Sequence, residues 1–390
     1  MVESRGTEFL GCPRPIGRPG TRNHLLILSV TGLTGPSAVR IAARIQPSLC
    51  LGTPYGSGLL GVDRAAHDTV LEGFVTHPNV GAVLVIGADP PQVEAIGNAA
   101  ARAGRAVEAL SLDASGHDAL TLVDRGTRAA ARLLRDLSRQ RRQLLPMREL
   151  FLALECGRSD PSSGLAANPL VGMISDRVVE EGGVAVIGET TEWLGAEQCL
   201  TRRAETPEVA EAIDAAARRR EAMAVAAGIN LIGNNPSQTN VDAGLSTIEE
   251  KSLGAIAKSG RAPIAGVLTY GEAPAGPGLW LMDAPAYAPE SLTGFAASGA
   301  NLALFTTGVG NSYSSALMPT IKLSANPETA ARIAQQLDFD ANSILTGKEV
   351  LGEAAARLLA LMLDIASGSL TWAEILGDHG ETISRFGEAL

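Results

Sequence analysis

Aromatic side chains are scarce in this 390-residue chain, at 4% of positions. Without them there is little stacking surface for single-stranded nucleic acid. Basic residues are outnumbered, 32 against 42 acidic, and the net charge of -10 speaks against a nucleic-acid groove or an anionic membrane as partner. No apolar run reaches the roughly 20 residues that span a bilayer. The N-terminal MVESRGTEFLGCPRPIGRPG has no apolar core of the signal-peptide kind. The four cysteines (Cys12, Cys50, Cys156, Cys199) form no CxxC pair, which removes a disulfide framework and a structural zinc and points to a reducing cytoplasm. The five histidines never fall at HxxxH spacing, no GxSxG elbow supports a serine hydrolase, and neither GxxxxGK[ST] nor a helix-opening GxGxxG supports a nucleotide site.

What the chain does have is glycine, 43 residues of it, and β-rich apolar runs. The runs are His24–Val30, Ala82–Gly87, Arg105–Leu112, Leu150–Cys156, Val184–Glu189, Pro263–Tyr270, Leu279–Asp283, Asn301–Phe305 and Thr320–Ser324. Most are continuous, as strands buried on both faces require. Between them lie Ala-, Arg- and Leu-rich helical patterns such as Asp118–Leu145 and Pro207–Ala227. This alternation predicts an α/β fold of two units with mostly parallel sheets, the larger one C-terminal. Pro146 stops the first long helix and divides the chain into residues 13–147 and 148–390, preceded by a loose stretch 1–12.

Ligands of parallel sheets gather beyond the C-terminal strand ends. The end at 156 offers Cys156, Arg158, Ser159 and Asp160; the next offers Glu189 to Glu192; another offers Thr306 and Thr307 in FTTGVGNS. Each has a plainer reading: Cys156 as a small buried hydrophobe, Ser159 and Asp160 as turn caps. Glu189 resists one, because a lone carboxylate behind a buried strand is costly. Ser246 with Glu249 fits a capping box. Around it, Asn235, Glu250 and Lys251 supply hydrogen bonds for a polyhydroxylated acid.

Collinear segments resemble the altronate/galactarate dehydratase family: GRPGTRNHLLIL (17–28), HPNVGAVLVIG (77–87), ECGRSDPSSGLAANPLVG (155–172), NPSQTNVDAGLSTIEEKSLG (235–254), GLWLMDAPAYAPESLTGFAASGANLALFTTGVGN (278–311) and MPTIKLSANP (318–327). That family includes sugar-acid dehydratases and the large subunit of (2R)-sulfolactate sulfo-lyase. Where the dehydratases carry a His-Pro-His-Gly-Cys-like stretch, this chain has Thr53-Pro54-Tyr55-Gly56-Ser57, and GADPP (87–91) replaces a Gly-Cys-Glu stretch. The sulfo-lyase subunit is similar in having Pro-Tyr-Gly there, whereas FTTG is closer to the dehydratases.

The resemblance implies proton removal beside a carboxylate and expulsion of water or sulfite from the next carbon. It also implies a divalent metal, with iron the usual ion, and a small anionic hydroxy acid as substrate. Cys156, Asp160 and Glu189 are then the expected metal ligands, and Lys251 and Glu250 the expected catalytic pair. Arg22 and Arg158 are expected to clamp the substrate carboxylate, with Ser159, Asn235, Thr306 and Thr307 around it. Because family dehydratases carry a small domain ahead of GTRNH, a small subunit acting in trans is expected, together with self-association of the large chains. A non-catalytic sugar-acid-binding paralogue stands as an alternative.

Overall fold

The computed structural model describes residues 7–232, 235–385 and 387. Thirteen strands build it: β1 (Glu8–Gly11), β2 (His24–Ser29), β3 (Leu49–Gly52), β4 (Val80–Gly87), β5 (Ala106–Ser111), β6 (Gln143–Pro146), β7 (Phe151–Cys156), β8 (Val184–Ile187), β9 (Ile264–Leu268), β10 (Gly278–Met282), β11 (Leu302–Thr306), β12 (Thr320–Ser324) and β13 (Phe339–Asp340). A four-stranded sheet has the order β3-β2-β4-β5, and a seven-stranded sheet the order β13-β12-β11-β7-β8-β10-β9. Every pairing in both is parallel. β1 and β6 pair antiparallel, as a separate ribbon. The fold is α/β with the larger sheet C-terminal, as the continuous apolar runs require.

Side-chain alternation along each strand divides the core into layers. Leu152 and Leu154 of β7 join one cluster, with residues of helices Asn168–Glu180 and Leu351–Ala366. Phe151 and Ala153 join a second, with helices Gly61–Thr76 and Ala288–Ala297 and with Leu26, Leu28, Val83 and Val85 from the four-stranded sheet. Leu25, Ile27, Leu84 and Ile86 face a third, covered by helices Gly35–Ala42 and Ala119–Leu137. The middle layer is thus shared by both sheets. Gly73 sits where an added Cβ would lie 2.3 Å from the Ala297 carbonyl oxygen, so the two middle helices meet backbone to backbone.

Several sequence expectations are corrected. The helix drawn as far as Leu145 ends at Leu137, and Gln143–Pro146 becomes a strand because β1 is there to pair with it. Residues 1–6 lie outside the described residues, but Glu8–Gly11 is ordered into β1 with Phe9 buried in the core. The short strands β1, β3, β6 and β13 carry too few residues to show a period. Among the described residues, no helix is long and apolar enough to cross a membrane.

Candidate functional site

The C-terminal ends of β7 and β8 lie side by side, since these strands pair in register. Cys156 closes β7. Beyond β8 the chain turns sharply at Glu189, whose φ of 54° is left-handed. A non-glycine residue there is strained by about 1–3 kcal/mol and is held by its surroundings. Thr190 N donates to the Ala284 carbonyl at 3.1 Å, Thr190 Oγ1 to Asp283 at 2.7 Å and Trp193 Nε1 to the Gly188 carbonyl at 3.0 Å. The single helical turn Thr190–Trp193 then aims Glu192 back at Cys156.

Two lysines complete the cluster, both from the segment Ile248–Ser259 packed above the strand ends. Lys251 Nζ donates to Glu192 Oε1 at 2.8 Å and to Asn235 Oδ1. Lys258 Nζ donates to Glu192 Oε2 at 2.8 Å and to Cys156 Sγ at 3.0 Å. The thiol in turn donates to Glu192 Oε2 at 3.2 Å. Asn235 Nδ2 donates to the Thr191 carbonyl at 2.9 Å, tying the loop to the β8 end. Thr306 Oγ1 donates to Asn168 Oδ1 at 2.6 Å, and Asn168 Nδ2 to the Gly254 carbonyl at 2.8 Å. This relay fixes the lysine-bearing helix to β11.

The three buried glutamates differ in charge. Burial raises the Glu192 carboxyl, but the ammonium groups of Lys251 and Lys258 outweigh it and hold Glu192 well below the usual carboxylate range. Glu189 goes well above that range, pushed by burial and then by the charges of Glu155 and Glu192. Burial also lifts Glu155 and carries the Cys156 thiol up to about 12, with the Glu192 charge adding to it. Desolvation opposes the charge on both lysines, yet their anionic neighbours win and raise them. The cluster therefore contains one carboxylate bridged by two ammonium groups, beside a thiol and two carboxyls whose affinity for a proton is raised.

The Glu155 carboxyl hydrogen-bonds to Glu189 and to Ser291, and Thr191 Oγ1 is buried without a hydrogen-bond partner among the described residues. Cys156, Glu189 and Glu192 can each offer a ligand atom, all within 4.8 Å of one another. A thiolate with two carboxylates suits a first-row divalent ion better than magnesium. The cluster is compatible with a metal site.

The expected site residues divide accordingly. Cys156, Glu189, Asn235 and Lys251 converge, and Thr306 supports them through Asn168. Asp160 sits apart from the metal-ligating group: its oxygens accept from Ser162 Oγ at 2.6 Å, Ser163 N at 3.2 Å and Asn326 Nδ2 at 2.7 Å. That is the turn-capping role. Glu250 is exposed, and its carboxylate accepts from Ser246 N and Oγ at 2.8 Å. The helix cap is Thr247, one residue beyond the expected Ser246. Arg22 belongs to another place altogether. Its guanidinium donates to Glu374, Thr21, Ile365 and Ser369 just ahead of β2, with no donor turned toward a substrate at the β7 end.

Ser159, Asp160 and Lys251 line a cavity of about 330 Å³, whereas exposed Arg158 lines a separate, more open one of about 760 Å³ with Arg332 and Asn311. Thr307 Oγ1 accepts from Gly310 N at 3.0 Å and shapes its own turn. Glu155, Lys258 and Ser291 went unnoticed in the sequence, and Glu192 was seen only as one of several polar residues at its strand end. The signal was present: Glu155 interrupts the apolar strand FLALEC, and Lys258 lies on the buried side of SLGAIAKSG.

The family model for the D-galactarate/altronate dehydratase C-terminal domain matches residues 147–388. The model for the second domain of D-galactarate dehydratase/altronate hydrolase matches residues 11–138. The chain belongs to the D-galactarate/altronate dehydratase family. It is 36% identical over 390 residues, covering all of both chains, to the (2R)-sulfolactate sulfo-lyase subunit beta of Chromohalobacter salexigens. To the altronate dehydratase of Bacillus subtilis it is 32% identical over 377 residues, 93% of this chain and 74% of that one. To the galactarate dehydratase (L-threo-forming) of Escherichia coli it is 35% identical over 253 residues, 65% of this chain and 48% of that one. The protein is an enzyme of the lyase class. The whole cluster of Glu155, Cys156, Glu189, Glu192, Lys251 and Lys258 falls within the C-terminal match.

Proposed function

We propose that this lyase acts on a small 2-hydroxy acid, removing the proton beside the carboxylate and expelling the substituent on the next carbon to leave a 2-keto acid. The observation that carries the proposal is the buried assembly of Cys156, Glu189 and Glu192 with two lysines at paired strand ends. Cys156, Glu189 and Glu192 would hold a divalent metal, iron being the expected ion. Bound there, the ion would supply a Lewis acid for the enediolate oxygens.

The chain's own groups support the rest. Lys251, at the wall of the 330 Å³ cavity, is a fixed cation for the substrate carboxylate and for charge that develops beside it. Its raised basicity, set chiefly against burial by Glu192 and Glu189, favours this role over that of resting-state proton acceptor. Glu155, whose affinity for a proton is raised by burial, can donate one to a leaving oxygen. That need for a proton donor favours water as leaving group, hence dehydration of a sugar acid such as altronate or galactarate to its 2-keto-3-deoxy product.

A second reading, release of sulfite and pyruvate from (2R)-sulfolactate, is supported by the end-to-end similarity to the sulfo-lyase subunit. The name of that relative also supports a second, small subunit in trans. Self-association of the large chains and a cytoplasmic location complete the proposal.

A panel of sugar acids and sulfolactate, assayed for 2-keto acid and for sulfite with and without added iron, tests it. Glu189→Gln keeps the side-chain size and should lower kcat by about 10²–10³-fold. A lyase whose activity and metal content survive this change would remove Glu189 from the mechanism. Cys156→Ser should lower metal content; an unchanged content would leave the sulfur a space-filling role.

A further inference from the structure

Lys258 is the most buried lysine of the site, with 2% of its side chain exposed, and its ammonium contacts the atoms that the metal reading requires. Nζ lies 3.0 Å from Cys156 Sγ and 2.8 Å from Glu192 Oε2. The other Glu192 oxygen is held by Lys251 at 2.8 Å. A divalent ion bound to this thiolate and carboxylate would draw on the same lone pairs and meet a like charge at close range. Compact, strongly hydrated and on a flexible stem, an ammonium is the side-chain cation best able to take an ion's place.

The geometry points to Lys258 as a resident counter-cation that competes with the divalent metal for Cys156 and Glu192. Metal and Lys258 ammonium are alternative occupants of one anionic cradle. Lys258 thereby weakens metal binding and keeps the buried Glu192 neutralised whenever the ion is absent. The inference rests on the metal reading of the cluster, and it makes the opposite prediction from a lysine that merely orients metal ligands, whose removal would weaken binding.

Cobalt(II) serves as the probe, because ligation by Cys156 produces a thiolate-to-cobalt charge-transfer band that needs no substrate and no turnover. Titrated by this band and by calorimetry, Lys258→Met should bind cobalt at least about tenfold more tightly than the unaltered protein, a difference of one decade in Kd. Lys258→Arg, which keeps a cation, should bind no more tightly than the unaltered protein, and Lys251→Met, which leaves Lys258 in place, should show a smaller gain than Lys258→Met. Equal or weaker binding by Lys258→Met overturns the inference while leaving the metal site standing. Absence of the charge-transfer band in every protein overturns the metal reading and the inference with it. Should Lys258→Met fail to fold, a crystal structure of the unaltered protein soaked with cobalt decides the matter. Lys258 should there have left Sγ and Oε2; an ion on Cys156 with Lys258 still within hydrogen-bond distance of both atoms overturns the inference.

Discussion

Both parallel sheets present a row of C-terminal strand ends, yet the two edges are chemically unlike. At the edge of the four-stranded sheet, Ser29 Oγ donates to the Thr31 carbonyl and contacts Thr34 Oγ1, each at 2.8 Å. Thr53 Oγ1 there meets His67 Nε2 at 2.9 Å, and burial lowers that imidazole's affinity for a proton. Hydroxyls and one ring nitrogen satisfy one another locally, while His67 Nδ1 is buried without a hydrogen-bond partner among the described residues. At the edge of the seven-stranded sheet, one carboxylate balances two ammonium groups, with two further buried glutamates beside it. The same architecture supplies a position for chemistry twice, but the buried lysine–glutamate pairs lie at one edge. Strand topology selects where a site can be; buried charges distinguish one edge from the other.

The largest expected effect breaks the second edge. Glu192→Gln leaves Lys251 and Lys258 buried without their shared counter-charge, and should cost about 3–5 kcal/mol of stability by denaturant unfolding. It should also abolish activity. A well-folded, fully stable Glu192→Gln would mean that the cluster is less dry than its burial suggests.

The neighbouring Glu189→Gln sharpens the contrast within that edge, through pH. The folded pKa of Glu189 lies above its unfolded value, so below about pH 4.5 both states are protonated and burial carries no electrostatic penalty. As pH rises above about 4.5 the unfolded chain ionises first and folding of the wild type is progressively disfavoured, by up to about 1.4 kcal/mol per pH unit. In chelator-treated protein the stability of Glu189→Gln relative to wild type should therefore grow with pH above that point. A difference that stays flat from pH 4 to 8 would contradict the raised proton affinity of Glu189.

Arg22, expected at first in the substrate site, gives the next test. Its ion pair with Glu374 at 2.6 Å joins the segment before β2 to the C-terminal region. Arg22→Met should lower stability by about 2–3 kcal/mol with kcat/KM within about twofold once folded. Arg22 holds Glu374 below its ordinary value despite the opposing effect of burial. The pair's contribution is thus full above about pH 4.5 and is lost as pH falls through the depressed folded value. The Glu374→Gln difference from wild type should shrink in the same window. Large losses of activity in Arg22→Met at full stability would return this arginine to the catalytic machinery.

The smallest effect belongs to the quieter edge. Thr53→Val removes the partner of His67 Nε2 and should cost about 1–2 kcal/mol with little change in turnover. Loss of activity with stability retained would make the four-stranded edge a working part of the site and collapse the comparison.

The two-sheet α/β fold was legible because β4 and β8 are continuous apolar runs, and β12 was bounded correctly at Thr320–Ser324 from its sequence alone. Burial on both faces writes itself into each residue of such a strand. The ribbon β1–β6 was not legible, since four residues carry no period and the pairing partner lies more than a hundred positions away. At the site, Cys156 and Glu189 stood out as polar residues after apolar runs, and Lys251 as a cation in a polar loop-and-helix segment, which are local signals. Asp160 gave the same signal and turned out to cap its own turn with Ser162 and Ser163.

What the sequence determined by itself was therefore the kind of fold, the strand ends and the family likeness, all of which follow from neighbouring residues read in order. What only the tertiary structure decided was which polar residues meet. Lys258 reaches Cys156 across 102 positions, Glu192 is turned inward by a left-handed Glu189, and Arg22 is drawn away to Glu374. The physical reason is that a buried charge is fixed by the partner that neutralises it, and that partner comes from wherever the chain folds back.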